Sequence, residues 1–198
     1  MASLMTVEMG EIKAARPGDA LLQACGLGAC VGLCLYEVAA RIAILVHVVL
    51  PQTLTVSPLA SRQIALAPPG KCAETALPYA LAEIAHMGGR REHVQAALVG
   101  GAHIFSLTGS DPGALSRLEI GARNVIALKE GLIRENIALC AEESGGHFGR
   151  TVTLNAATGD VLVRPVGLGE YALVRLGRAA FQSSERPIVR EEVYAYGR

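Results

Sequence analysis

The sequence predicts an α/β (α+β) fold: a single-domain layered sandwich of mixed, largely antiparallel β-sheet with flanking helices. Three observations predict it. Two apolar runs, residues 31–36 and 42–50, are joined by the short connector Glu37-Val38-Ala39-Ala40-Arg41, which is the pattern of a β-hairpin. Residues 150–154 and 160–165 flank Asn155-Ala156-Ala157-Thr158-Gly159 in the same way. Two longer segments, 73–87 and 120–135, carry apolar residues at helical spacing. Hairpins at both ends argue against a purely parallel sheet. Strands mixed with two helices argue for layered packing.

The 198 residues suit one domain, and 51% hydrophobic residues supply a sizeable core. Aromatics are only 4%, with no Trp, so that core is aliphatic. Lys+Arg and Asp+Glu are 18 each; the absence of a basic excess argues against nucleic acid as a partner. Apolar runs break within about ten residues, short of the ~20 that cross a membrane. The N-terminus lacks a basic segment followed by an apolar one, so a cytoplasmic location without membrane insertion is expected. Five cysteines, an odd number without scaffold spacing, suit a reducing compartment.

Along the chain, residues 6–12 read as an edge strand and Ala15-Arg16-Pro17-Gly18-Asp19 as a turn. Residues 20–25 lead into the first hairpin. The Pro-, Ser- and Thr-rich residues 52–70 read as a surface loop or a flap near the site. In the helix over 73–87, Pro78 implies a start near Leu77 or a kink there, and Gly88-Gly89 ends it. Residues 94–99 form a strand that ends at Gly100-Gly101, and 106–116 a loop. The helix over 120–135 sets Val125, Leu128 and Leu132 on one stripe and is capped by Asn136. A strand at 137–141, a polar glycine-rich loop at 142–149, the second hairpin and a strand at 171–176 complete the pattern.

The first hairpin carries the candidate chemistry. A turn centred on Val38-Ala39 places Cys30 opposite His47, on one face, with Cβ atoms roughly 4.5–5.5 Å apart. A slip of one residue would separate the faces. A thiol beside an imidazole is a nucleophile beside its base, and such pairing predicts a thiol pKa below the free value of about 8.5. The Gly26-Leu27-Gly28-Ala29 turn before Cys30 can converge backbone N–H groups on an anion. Against this, a buried cysteine is usually a small hydrophobe. Cys25, Cys34, Cys72 and Cys140 are read that way. Zinc is disfavoured, because Cys30 and Cys34 in one strand stand about 13 Å apart against a Zn–S bond of about 2.3 Å. His86, His93, His103 and His147 fall at helix ends or in loops and are expected to face solvent. Gly100-Gly101, Gly121 and Gly145-Gly146 form no Rossmann or phosphate-loop motif. They mark tight turns or close backbone approach. No Asp or Glu adjoins His47 in sequence.

Leu27-Gly28-Ala29-Cys30-Val31 and Val46-His47-Val48-Val49-Leu50-Pro51 resemble the chemoreceptor glutamine deamidase family, CheD. Gly100-Gly101-Ala102, Ile120-Gly121-Ala122-Arg123-Asn124, Gly145-Gly146, Gly149-Arg150 and Thr158-Gly159 extend the resemblance in order and spacing. It implies a deamidase domain over residues 1–166, with 167–198 as an extension packed on or trailing it. It implies a cysteine hydrolase that converts glutamine to glutamate on the cytoplasmic domains of methyl-accepting chemotaxis receptors, or hydrolyses glutamate methyl esters. Cys30 would be nucleophile and His47 base. Gly28, Ala29, Gly100, Gly101, Arg123 and Asn124 would support binding or the oxyanion, with no cofactor or metal. A CheC-type phosphatase is a further implied partner. The family's third catalytic member is a threonine six residues before the cysteine, and here that position is Ala24. The departure leaves three outcomes open: lower activity, another group orienting His47, or a non-catalytic adaptor that binds receptors or the phosphatase. A generic thiol hydrolase of small amides is the remaining alternative.

Overall fold

The computed structural model describes residues 3–16, 18, 20–52, 68–103, 120–177 and 188–189. The first hairpin is the centre of the fold. Its strands, β4 (Val31–Glu37) and β5 (Ile42–Val48), are buried along their whole length, as strands covered on both faces must be. Leu33, Leu35, Ile44 and Val46 pack toward the helices. Cys34, Tyr36, Ala43 and Leu45 pack toward a second sheet.

The remaining elements are β1 (Ser3–Thr6), β2 (Ile12–Ala15), β3 (Ala20–Leu27), α1 (Ala73–His86), β6 (Val94–Gly100), α2 (Ile120–Arg134), β7 (Ala138–Ser144), β8 (Arg150–Asn155), β9 (Asp160–Pro165), β10 (Tyr171–Arg175) and β11 (Ile188–Val189). Among the described residues one sheet has six strands in the order β11-β7-β6-β4-β5-β2, and the other five in the order β1-β3-β8-β9-β10. Pairings β1–β3, β6–β7 and β7–β11 are parallel and the others antiparallel. The expected mixed, largely antiparallel sandwich is therefore observed. The helices cover the outer face of the six-stranded sheet, and the aliphatic core between the sheets is the second layer.

Four expectations change. Residues 6–12 are not one strand. β1 joins the five-stranded sheet and β2 the six-stranded one, and residues 7–11 cross between them through Gly10 at φ +82°. Strand β7 runs on to Ser144 through the expected polar loop. Its buried Glu142 and Glu143 are paired with Lys129 at 2.8 Å and Arg150 at 3.1 Å. Ion pairing lets carboxylates enter a strand end, which polarity alone hides. Helix α1 begins at Ala73, ahead of Leu77, and contains Pro78. The fourth change is the hairpin register, taken up with the site. Asn136 ends α2 as expected, at φ +53°. The loops expected at 52–70 and 106–116 fall largely outside the described residues, as do Pro17 and Asp19 of the expected turn and most of the chain after Gly177.

Candidate active site

Gly32, not Cys30, lies opposite His47. The Glu37 carboxylate accepts the Ala40 N–H, and Arg41 takes φ +55°. The turn therefore centres one residue later than expected, and the register moves by two. A shift of two preserves the face. His47 follows Ala43 and Leu45 on the inter-sheet side, and Cys30 packs against that same inter-sheet cluster. Cys30 lies on the bend one residue ahead of β4, two residues before the ladder partner of His47. Gly32 between them is required: a Cβ there would sit 2.8 Å from Val152 Cγ1 and 3.1 Å from Leu27 Cδ1.

His47 is 3% exposed. Its Nδ1 lies 3.2 Å from the Val7 carbonyl oxygen. A carbonyl only accepts, so Nδ1 carries the proton and Nε2 the lone pair. Nε2 is buried and, among the described residues, has no hydrogen-bond partner. The crossing segment builds this arrangement. Val7 N–H donates to the Gln23 carbonyl at 2.7 Å, Gly10 N–H to the His47 carbonyl at 2.8 Å, and His47 N–H to the Glu11 carbonyl at 3.1 Å. Burial pushes the imidazole pKa down; the Val7 bond and the charge of Glu8 oppose this without overcoming it.

Cys30 is partly exposed, on the bend between β3 and β4. Burial raises its thiol above the ordinary value of 9.0. The expected depressed thiol is thus corrected. In this geometry both members favour their neutral forms, because burial disfavours each charge and, among the described residues, no hydrogen bond joins them.

The bend is held from behind. Gly28 carbonyl accepts from Ala102 N–H at 2.7 Å, and Cys30 carbonyl from Gly101 N–H at 2.8 Å. Ala29 carbonyl accepts from Asn124 Nδ2 at 2.9 Å, and the same Nδ2 reaches the Val49 carbonyl at 3.0 Å. Gly100 and Gly101 permit the approach. At φ +117° a Cβ on Gly100 would collide with the Cys30 carbonyl oxygen, and one on Gly101 would lie 2.7 Å from Val125 Cγ2. Their role is support of the bend. Arg123 is exposed, one residue before the buried Asn124. Ala24 is fully buried in the inter-sheet core, in register with Val152.

The family model for CheD chemotactic sensory transduction matches residues 50–165, more than half of the chain. The chain belongs to the CheD family. A probable chemoreceptor glutamine deamidase CheD of Symbiobacterium thermophilum is 44% identical over 170 residues, covering 86% of this chain and 97% of the relative. The probable chemoreceptor glutamine deamidase CheD of Syntrophomonas wolfei is 33% identical over 170 residues, covering 86% and 98%. The chemoreceptor glutamine deamidase CheD of Thermotoga maritima is 36% identical over 150 residues, covering 76% and 85%. The model match in this CheD chain begins beyond Cys30 and His47, so the roles of those two rest on geometry.

Sequence reasoning missed the Val7 carbonyl. A main-chain oxygen leaves no trace in residue identity, and its position depends on a crossing between sheets. It also missed the buried rim below the Gly145–Gly146 turn. There Arg150 donates to Glu143 and to the carbonyls of Gly145 at 2.9 Å and Phe148 at 3.1 Å, while Tyr171 O–H donates to Glu143. His93 is not simply solvent-facing: its Nδ1 lies 3.1 Å from buried Glu37 Oε1. No described helix is long and apolar enough to cross a membrane.

Proposed function

We propose that this CheD protein is a cysteine amidohydrolase that converts glutamine side chains of chemotaxis receptors to glutamate. One observation carries the reading. A half-exposed thiol stands on a glycine-supported bend, on the same face as a buried imidazole whose Nδ1 is already fixed and whose Nε2 is free to accept. The names of the relatives supply the substrate class.

The chemistry follows from a neutral pair. As Cys30 Sγ bonds to the carboxamide carbon, its proton passes to His47 Nε2. Positive charge spreads to Nδ1, where the Val7 carbonyl oxygen stabilises it. The carbonyl oxygen becomes an oxyanion facing the Ala29–Cys30 backbone, where one donor can be worth roughly 3 kcal/mol. The C–N bond breaks, and imidazolium returns the proton to the leaving ammonia. Water then attacks the thioester with His47 as base, releasing glutamate and the Cys30 thiol. Catalytic hydrogen bonds commonly tighten only when substrate binds, and the proton transfer requires the partly exposed thiol to turn toward Nε2. A glutamate methyl ester would pass through the same tetrahedral species. The adaptor alternative drew its support from Ala24; the Val7 carbonyl supplies the orientation that position no longer gives.

The test is incubation with a receptor cytoplasmic fragment, reading the one-dalton gain of deamidation by mass spectrometry. Conversion by the parent and none by Cys30→Ala is expected. Equal conversion by both would remove Cys30 from the mechanism.

A further inference from the structure

Asn124 joins two strand ends that the sheet no longer joins. The β4–β5 ladder stops at Val31–Val48. Beyond it, the Asn124 carboxamide bridges the carbonyls of Ala29, two residues before Val31, and Val49, one after Val48. Both contacts are to acceptors, so the assignment of the amide nitrogen is forced. The side chain is fully buried, and among the described residues Oδ1 has no hydrogen-bond partner. An unsatisfied buried acceptor is destabilising, so the residue is an expensive way to hold a loop.

Peptide planarity gives the arrangement a consequence. Among the described residues every peptide bond is trans. In a trans peptide the C=O and N–H point in opposite directions. Asn124 draws the Ala29 carbonyl toward α2, so the Cys30 N–H of the same peptide points away from α2. The Gly28 carbonyl is likewise held by Ala102, which turns the Ala29 N–H outward. Among the described residues no backbone acceptor takes either N–H. Two adjacent outward-turned donors beside the nucleophile are what an oxyanion hole requires.

We propose that Asn124 is a positioning residue that locks the Ala29–Cys30 peptide in the orientation that presents the Cys30 N–H to the oxyanion. This deepens the acyl-transfer reading of Cys30 and rests on it. Without the lock the peptide can flip, the carbonyl replaces the donor, and the tetrahedral species loses its stabilisation while the thiol remains.

The experiment compares two reactions of Cys30 in the whole protein. p-Nitrophenyl acetate acylates the thiol through a tetrahedral oxyanion and releases p-nitrophenolate. Iodoacetamide alkylates it by displacement, with iodide leaving and no oxyanion. Asn124→Ala is expected to slow acylation about 10²-fold and leave alkylation nearly unchanged. With receptor fragment, kcat should fall by the same order with little change in KM. If Asn124→Ala melts at room temperature, Asn124→Leu, close in size but with no donor, takes the same comparison. Equal slowing of both reagents, or of neither, in a folded variant overturns the proposal. If the acylation-to-alkylation ratio falls but the parent deamidates no receptor glutamine, the substrate assignment fails and the positioning role stands. Failure of the parent's Cys30 to react with either reagent overturns both.

Discussion

His47 takes its tautomer from a main-chain oxygen, and that changes what the Ala24 substitution means. The family resemblance makes that position a threonine and its third catalytic member, so the departure leaves lower activity as one outcome. The Val7 carbonyl already holds Nδ1, so Ala24→Thr should change kcat/KM by less than about threefold, under 1 kcal/mol. Steady-state rates on a receptor fragment read this, and a gain above tenfold would return the orienting role to position 24. The neutral thiol–imidazole pair has a pH signature. Burial lowers the His47 pKa below 6.5, so the acid limb of kcat/KM should fall below that pH. Burial raises Cys30 above 9.0, so its alkylation by iodoacetamide should keep rising through pH 9, read by peptide mass spectrometry. A rate flat from pH 6 to 8 would mean a preformed thiolate–imidazolium pair instead. The sequence singles out Cys30 and His47 as candidates, because a glycine turn and an apolar run isolate them. It does not reveal their protonation states, since these follow from burial.

At the scale of elements, the hairpin was legible and its register was not. Alternation and turn composition identify two paired strands, but Glu37 capping Ala40 moved the turn by one residue. The parity that matters for the site survived only because the slip was even. The glycines were legible as turns and not as contacts. Gly100 and Gly167 both have positive φ, yet a Cβ on Gly100 meets the Cys30 carbonyl oxygen and one on Gly167 meets nothing within 4 Å. Each replacement by alanine should cost about 1–3 kcal/mol from the backbone conformation alone. Gly100→Ala should in addition displace the bend and lower the deamidation rate more than tenfold, whereas Gly167→Ala should leave the rate intact. Denaturant melts alongside rates separate the two effects. Equal rates in both variants would detach Gly100 from the site.

Across the whole molecule, layering and core composition followed from the sequence, while the ion pair under the rim did not. Arg150 and Glu143 lie on different sheets and meet only after the sheets stack. Their side chains are 0% and 3% exposed, and Tyr171 completes the set. Arg150→Met should destabilise the fold by about 3–5 kcal/mol, because Glu143 is left buried without its cation. Urea denaturation measures it, and a loss under 1 kcal/mol would show that Glu143 simply takes up a proton. Stability should also carry a pH plateau. Buried neutral His47 has a lowered folded pKa, so its contribution is present above about pH 6.5 and is lost as pH falls toward the folded value. The Cys34 thiol, fully buried and pushed up to about 12, contributes below about pH 9 and is lost as pH rises toward 12.

Hydroxylamine trapping with a receptor fragment tests the covalent route most directly. A Cys30 thioester would be intercepted, so the receptor position should carry a hydroxamate, fifteen mass units above glutamate by composition, roughly in proportion to reagent. Cys30→Ala should give neither glutamate nor hydroxamate. Glutamate formed at an undiminished rate with no hydroxamate at any reagent concentration would contradict acyl transfer through Cys30.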